Sequence, residues 1–327
     1  MRNEAQAATI ERVRSQARSC AELGSPLYEA LLNAVADDIE RSGPAWSVLK
    51  ETVGDPGGSA VALRFMGAVH RLVLEGAALE LAAFYPSAAG RVGPGVEDAF
   101  MRTVEEHEDR LRTLVREPVQ TNEVRRSAAL VGGFLEVARN TGMALRILEL
   151  GASAGLNLRW DRYRYEARGE TWGDPASPVR LCSFNSDTPL PFDVEAEVAA
   201  RRGCDPAPVD PTSEEGRIRL TSFVWPDQLH RLRLLRAALE VAAMLPVEID
   251  AEPAGAWLER RLEERHPGIA TVVFHSIVFP YLARKERERV QAAVAAAGEA
   301  MGERESLAWL RMEPADGIAH VHLTEWR

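Results

Sequence analysis

Residues 144–157 run Ala144-Leu145-Arg146-Ile147-Leu148-Glu149-Leu150-Gly151-Ala152-Ser153-Ala154-Gly155-Leu156-Asn157. The first seven form a short apolar run that enters a turn of glycines and small residues, the pattern of a strand buried on both faces of a sheet. In an open parallel sheet, ligands bind beyond the carboxyl ends of the strands, beside the first strand-to-helix turn. Glycines there let the main chain approach a ligand and take positive φ. A helix starting near Gly155 would aim its free N–H groups at an anionic group.

Downstream, strand and helix patterns alternate: strand at 217–224, helix at 228–244, strand at 247–250, helix at 254–265, strand at 270–279, helix at 285–300, then strands at 307–312 and 319–324. Such alternation implies a mostly parallel sheet with helices on both sides. The last two strands are close enough in sequence to pair antiparallel at its edge. Residues 160–216 hold seven prolines and no regular rhythm, and are taken as an insertion.

Upstream, residues 1–140 contain no strand pattern. Ile10, Val13, Ala17 and Ala21 recur at helical spacing, a helix is expected over 25–41, and Pro44 closes that region. Residues 60–84 are apolar on most faces, which predicts one helix buried at the centre of a helical unit. A charged helix to about 116 and a helix at 123–139 follow. The fold class is therefore α/β: an N-terminal all-helical domain over 1–140, then an α/β domain over 141–327 interrupted at about 160–216.

The chain of 327 residues is 46% hydrophobic and 27% charged, which supports a large core and excludes wholesale disorder. Its net charge of −10 argues against nucleic acid as a partner, because phosphate binding needs a basic face. Cys20, Cys182 and Cys204 are odd in number and form no CxxC pair, so neither a disulfide framework nor a zinc cluster is expected. The N-terminus, MRNEAQAATIERVRSQ, lacks the apolar core of a signal peptide, and no 18-residue apolar run occurs. A cytoplasmic protein with no membrane partner is expected.

The glycine turn admits three readings. A dinucleotide fingerprint needs G-x-G-x-x-G, whereas Ser153 holds the second position and the last glycine comes one residue early, so NAD is disfavoured. G-x-S-x-G is the nucleophile elbow of serine hydrolases; Ser153 would attack, with Asp227 or Asp250 and His275 or His320 as partners. An elbow normally follows several strands, and none precedes this one.

The third reading is E-x-G-x-S-x-G, which resembles motif I of the class I S-adenosylmethionine-dependent methyltransferases. Residues 220–224 with Trp225-Pro226-Asp227 resemble their second strand and the acid that takes the ribose hydroxyls, although Trp225 and Pro226 separate strand from acid. Val247-Glu248-Ile249-Asp250 resembles the third strand, whose Asp reaches the adenine amino group, and residues 270–281 fall where that family places its fourth strand. The resemblance implies a Rossmann-like methyltransferase-type sheet, S-adenosylmethionine as cofactor, and Glu149, Gly151, Ser153, Gly155, Asn157, Asp227 and Asp250 as its ligands. Charge-assisted bonds of this kind contribute about 1.5–3 kcal/mol each.

Over nearly the whole chain the sequence more closely resembles an uncharacterised bacterial family, the domain of unknown function numbered twenty-three thirty-two. Segments 68–76, 85–86, 118–124, 151–165 and 222–227 carry that likeness, which implies the same two-part fold and brings no substrate or reaction.

His70 lies among Met66, Val73, Ala77 and Leu81 on an apolar helix, either as a hydrogen-bonded core residue or as a substrate-binding one. Gln120, Asn122 and Glu123 precede a helix that Asn122 would cap, and they are candidate substrate contacts. Arg162 and Tyr163 follow the glycine turn and offer an arginine and an aromatic wall; packing of Tyr163 and Tyr165 on one strand face is the plainer reading. His275 interrupts an apolar strand near its carboxyl end as a candidate general base, with Tyr281 to orient the acceptor. His320 and His322 share a face but lack a third metal ligand, so no metal is expected. Asp205-Pro206 and Asp210-Pro211 look like turn chemistry. The favoured expectation is methyl transfer to a small molecule enclosed by the helical domain and the insertion. A serine hydrolase and a non-catalytic ligand-binding protein on the same fold are the alternatives.

Overall fold

The computed structural model describes residues 4–56, 59–182, 189–315 and 318–327. Helices α1 (Glu4–Glu22), α2 (Pro26–Glu40), α3 (Pro44–Leu49), α4 (Val61–Leu74), α5 (Leu79–Ala82), α6 (Val96–Glu106), α7 (Glu108–Leu114) and α8 (Arg126–Thr141) lead to strand β1 (Ala144–Leu150). Short strands β2 (Arg164–Ala167), β3 (Glu170–Trp172) and β4 (Arg180–Cys182) precede β5 (Val198–Cys204). Then come α9 (Glu214–Ser222), α10 (Leu229–Met244), β6 (Ile249–Asp250), α11 (Ala254–Glu263), β7 (Ile269–Ser276), α12 (Arg284–Glu299), β8 (Ser306–Ala315) and β9 (Ile318–Trp326).

The chain divides into a helical unit, Met1–Thr121 with Ser213–Arg233, and a sheet unit, Asn122–Thr212 with Leu234–Arg327. This differs from the expected break at 140. α8 belongs with the sheet because its Phe134 meets Phe274 of β7 edge-on, centroids 5.1 Å apart. Residues 213–233 join the helical unit, since Trp225 lies in its core.

In the helical unit, Leu31, Val35, Phe65, Val69 and Phe100 form the buried centre. The helix expected over 60–84 is two helices. Gly76, at φ +74°, ends α4, and the N–H of Ala77 turns back to the carbonyl of Leu72 at 2.9 Å. The strand expected over 217–224 is the helix α9. Its start is written in Ser213, whose hydroxyl accepts the N–H of Gly216 at 3.0 Å, with Glu214 and Glu215 in the first turn complementing the helix dipole.

The sheet unit is built on a six-stranded sheet ordered β6-β5-β1-β7-β8-β9. The first five are parallel, and β9 returns antiparallel beside β8, as the sequence predicts for the last two strands. From β1 the chain adds strands to one side and then crosses to β7 on the other, so the strand order reverses between β1 and β7. β1 is buried almost throughout. One face packs Leu148, Val273 and Trp309 against Trp257, Leu258, Val290 and Val294 of α11 and α12, and Phe274 meets α8 on the other. Trp160 is stacked between Phe134 at 4.5 Å and Trp172 at 5.2 Å.

The 160–216 stretch is not wholly an insertion. β2, β3 and β4 make a separate three-stranded sheet, but β5 is the central sheet's own strand beside β1. Its apolar pattern is broken by Arg201 and Arg202, each compensated by a carboxylate: Arg201 with Asp161 at 2.6 Å and Arg202 with Asp250 at 2.8 Å.

Candidate functional site at the carboxyl end of the first strand

Glu149, the penultimate residue of β1, lies between Gly203 of β5 and Phe274 of β7. It is 2% exposed, and its Oε2 has no hydrogen-bond partner. Burial pushes its carboxyl well above the usual carboxylate range, against the pull of the guanidinium groups of Arg126 and Arg159. Arg126 donates to the carbonyl of Ser276 at 2.7 Å, and Arg159 to the carbonyls of Gly155 at 2.7 Å and Leu245 at 2.8 Å.

In the turn, Gly151, Ser153 and Gly155 all have positive φ: +67°, +53° and +66°. A side chain at Gly151 would collide with Val278, its Cβ falling 2.7 Å from a methyl carbon. Ser153 adopts this conformation without glycine's freedom, at a cost, and it is held from both sides. Its N–H donates to Asp205 Oδ2 at 2.9 Å and its carbonyl accepts from Val209 at 3.1 Å. Asp205 Oδ1 takes the N–H of Ala207 at 2.9 Å. Asp205, the residue directly after β5, is thus more than the turn former the sequence suggested.

Several expected residues brace this turn. Asn122 Oδ1 accepts the N–H of Leu156 at 2.9 Å, so it caps the turn and not α8, whose first turn begins after Arg125. Asn157 accepts from Ser127 at 2.7 Å and donates to the carbonyl of Glu123 at 3.4 Å, and the Glu123 carboxylate takes the N–H of Arg125 at 3.2 Å. Tyr163 is fully buried and donates to the carbonyl of Leu156 at 2.5 Å, which gives it a supporting role and not that of a substrate wall.

Others stand elsewhere. Asp227 lies in the helical unit, where both carboxylate oxygens accept from the Ser25 hydroxyl, at 2.7 and 2.9 Å, and one also from the N–H of Leu27. The strand expected to carry it is the helix α9, and the carboxylate locks the start of α2. Asp250 does end β6, but Arg202 grips it with two bonds of 2.8 Å, Trp257 Nε1 donates at 2.5 Å and Arg261 at 3.2 Å. Arg202 and Arg261, with the Trp257 N–H, hold its carboxyl far below the usual range and tie it into the sheet unit as an ion-pair partner. His70 is a core histidine: buried in the helical unit, it pairs Nδ1 with the Ser222 carbonyl at 3.1 Å and Nε2 with Ser87 at 2.8 Å. Gln120 is also buried in the helical unit. Arg162 is exposed and pairs with Asp161 at 3.2 Å, and Tyr281 lies exposed in a 3-10 turn after β7.

His275, buried one residue beyond the Glu149–Phe274 pair, directs Nδ1 to Glu313 Oε1 at 2.6 Å and leaves Nε2 without a partner. The acid that His275 meets is therefore Glu313, in place of the Asp227 or Asp250 expected for a hydrolase. His320 stacks on His322, centroids 6.1 Å apart. The sequence reading missed Arg126, Arg159, Asp205 and Glu313. Among the described residues no cluster of His, Cys, Asp and Glu is arranged to hold a metal ion, and no helix is long and apolar enough to cross a membrane.

Comparison with protein families matches residues 10–327 to a family described as an uncharacterized protein conserved in bacteria (DUF2332). No curated protein and no solved structure matches the chain.

Proposed function

The chain belongs to this DUF2332 family of uncharacterised bacterial proteins, and from that premise we propose that its sheet unit binds S-adenosylmethionine at the carboxyl ends of β1 and β5 and transfers the methyl group to a small molecule. The observation carrying the reading is a pair of acids flanking one strained turn: Glu149, buried with a bare oxygen at the end of β1, and Asp205, directly after β5. Strand order supports it, because the reversal between β1 and β7 is where open parallel sheets bind ligands. Asp205 takes the place that the methyltransferase resemblance gave to Asp227. Each of its oxygens accepts one main-chain N–H and has a second lone pair for a ribose hydroxyl. Glu149 Oε2 suits a ligand ammonium, a cation that would offset the cost of its burial. Asp227 and Asp250 have no part in it.

The bound group supplies an electrophilic methyl carbon on a sulfonium. The protein's contribution is orientation and exclusion of water, which need no elaborate catalytic set. The test is urea unfolding with and without S-adenosylhomocysteine. Ligand at about 100 times its dissociation constant is expected to add about 2.7 kcal/mol, and Asp205→Ala to abolish the gain. An unchanged wild-type midpoint would refute the reading. Tight binding without turnover over a broad acceptor panel would mark a non-catalytic binding protein.

A further inference from the structure

We propose that His275 and Glu313 form a proton-accepting pair in which Glu313 is a positioning residue that keeps the ring proton on Nδ1, and that the methyl acceptor is accordingly a hydroxyl compound, an alcohol or phenol. This rests on the methyl-transfer reading above.

Glu313 Oε1 receives the N–H groups of Val278 at 3.0 Å and Phe279 at 3.3 Å as well as His275 Nδ1 at 2.6 Å. An oxygen already taking two N–H donors is an acceptor, so Nδ1 carries a proton, and in the neutral ring the lone pair then lies on Nε2. The ring cannot turn to share it: His275 is fully buried and stacks on Phe279, centroids 4.3 Å apart and planes 6° from parallel. Nε2 is left buried with no partner, as is Glu313 Oε2. Buried atoms of this kind cost stability unless something later meets them.

The pair is also tied to the glycine turn. Val278, whose N–H Glu313 holds, is the side chain that a Cβ at Gly151 would strike. Between them Ile277 has φ +54°, an outlier for a β-branched residue, and its N–H is held by the Met312 carbonyl at 2.8 Å. Strain of this kind persists where the surroundings over-determine it and concentrates at working sites. The ring's cover, Phe279, belongs to the 3-10 turn Phe279–Tyr281 that follows β7.

In the reaction the hydroxyl oxygen bonds to the methyl carbon, the carbon–sulfur bond breaks with its electron pair left on sulfur, and the hydroxyl proton passes to Nε2. Glu313 then faces the resulting imidazolium. A carboxylate or thiolate acceptor brings no proton, and a neutral amine attacks through its own lone pair and sheds its proton to water afterwards, so none of these needs the pair. A hydroxyl, by contrast, must lose its proton as it attacks.

Long-range proton–nitrogen NMR of uniformly 15N-labelled protein reads the tautomer without any ligand, with His275→Gln assigning the signal. The expected spectrum has Nδ1 protonated and Nε2 bare. Glu313→Gln, whose amide oxygen can still accept, retains that pattern, and Glu313→Ala moves the proton to Nε2. A wild-type proton on Nε2 overturns the proposal. In parallel, S-adenosylhomocysteine release is followed over a panel of alcohols, phenols, thiols and carboxylates. Turnover of a hydroxyl compound that falls about 100-fold or more in His275→Gln and Glu313→Ala, with S-adenosylhomocysteine still bound, supports it. A cofactor-binding protein that methylates no hydroxyl compound, or does so unimpaired in Glu313→Ala, overturns it. Failure of the wild type to bind S-adenosylhomocysteine would instead defeat the methyl-transfer reading, leaving the tautomer result intact.

Discussion

The carboxylate of Asp205 accepts the main-chain N–H of Ser153 at 2.9 Å, so the residue that leaves β5 grips the middle of the turn that leaves β1. The carboxyl ends of two neighbouring strands, β1 and β5, are thereby fixed to one another. Removing the carboxylate leaves a buried N–H unpaired and frees a residue at φ +53° to relax. Asp205→Ala is expected to lower unfolding stability by about 1–3 kcal/mol, measured in urea. A variant as stable as the wild type would show that the turn holds itself.

Glu149 gives a prediction of opposite sign. Its carboxyl is raised by burial, so the folded protein holds a proton that the unfolded chain releases. The associated stability is full below the unfolded value of about 4.3 and declines as pH rises through the folded one. Glu149→Gln carries no such term, and is expected to be more stable than the wild type at pH 8 by about 1–3 kcal/mol, a gap that closes toward pH 4. Equal stability across that range would contradict the burial account.

His70 reverses the direction again. Burial lowers its pKa to about 4 from 6.5, so its contribution is present above pH 6.5 and lost as pH falls toward 4, roughly 3 kcal/mol in all. Urea unfolding between pH 6.5 and 5 should show a steeper loss for the wild type than for His70→Gln. Parallel slopes would place the proton elsewhere.

Asp227 separates the two units functionally. Asp227→Ala removes the acceptor shared by the Ser25 hydroxyl and the Leu27 N–H at the start of α2 and should cost about 1–2 kcal/mol, leaving S-adenosylhomocysteine affinity unchanged. A large loss of affinity in a folded variant would restore it as a ligand. Ser153→Ala provides the matching check on hydrolysis: the account expects binding retained and no esterase turnover to lose.

β1 was legible because burial on both faces leaves an uninterrupted apolar run, and β8 and β9 because their short connection dictates antiparallel pairing. β5 was hidden by Arg201 and Arg202, whose partners Asp161 and Asp250 are distant in sequence. Without that strand, the acid following a sheet strand was sought at Asp227, and Asp205 passed as a turn residue. α9 differs from the strand expected at 217–224 because its start is set by the cap at Ser213, which lies before that stretch. Glu149, Gly151, Ser153, Gly155 and His275 could be placed at one sheet end from sequence alone, since strand ends are periodic features. Arg126, Arg159 and Glu313 meet them only through tertiary packing, which no local pattern records.

Calorimetric titration of the intact protein with S-adenosylhomocysteine tests the account most directly. It predicts saturable binding at one site per chain and an affinity at least about tenfold weaker in Asp205→Ala, equivalent to about 1.4 kcal/mol. A wild-type titration without saturable heat, confirmed by an unshifted unfolding midpoint, or one identical to that of Asp205→Ala, would contradict it.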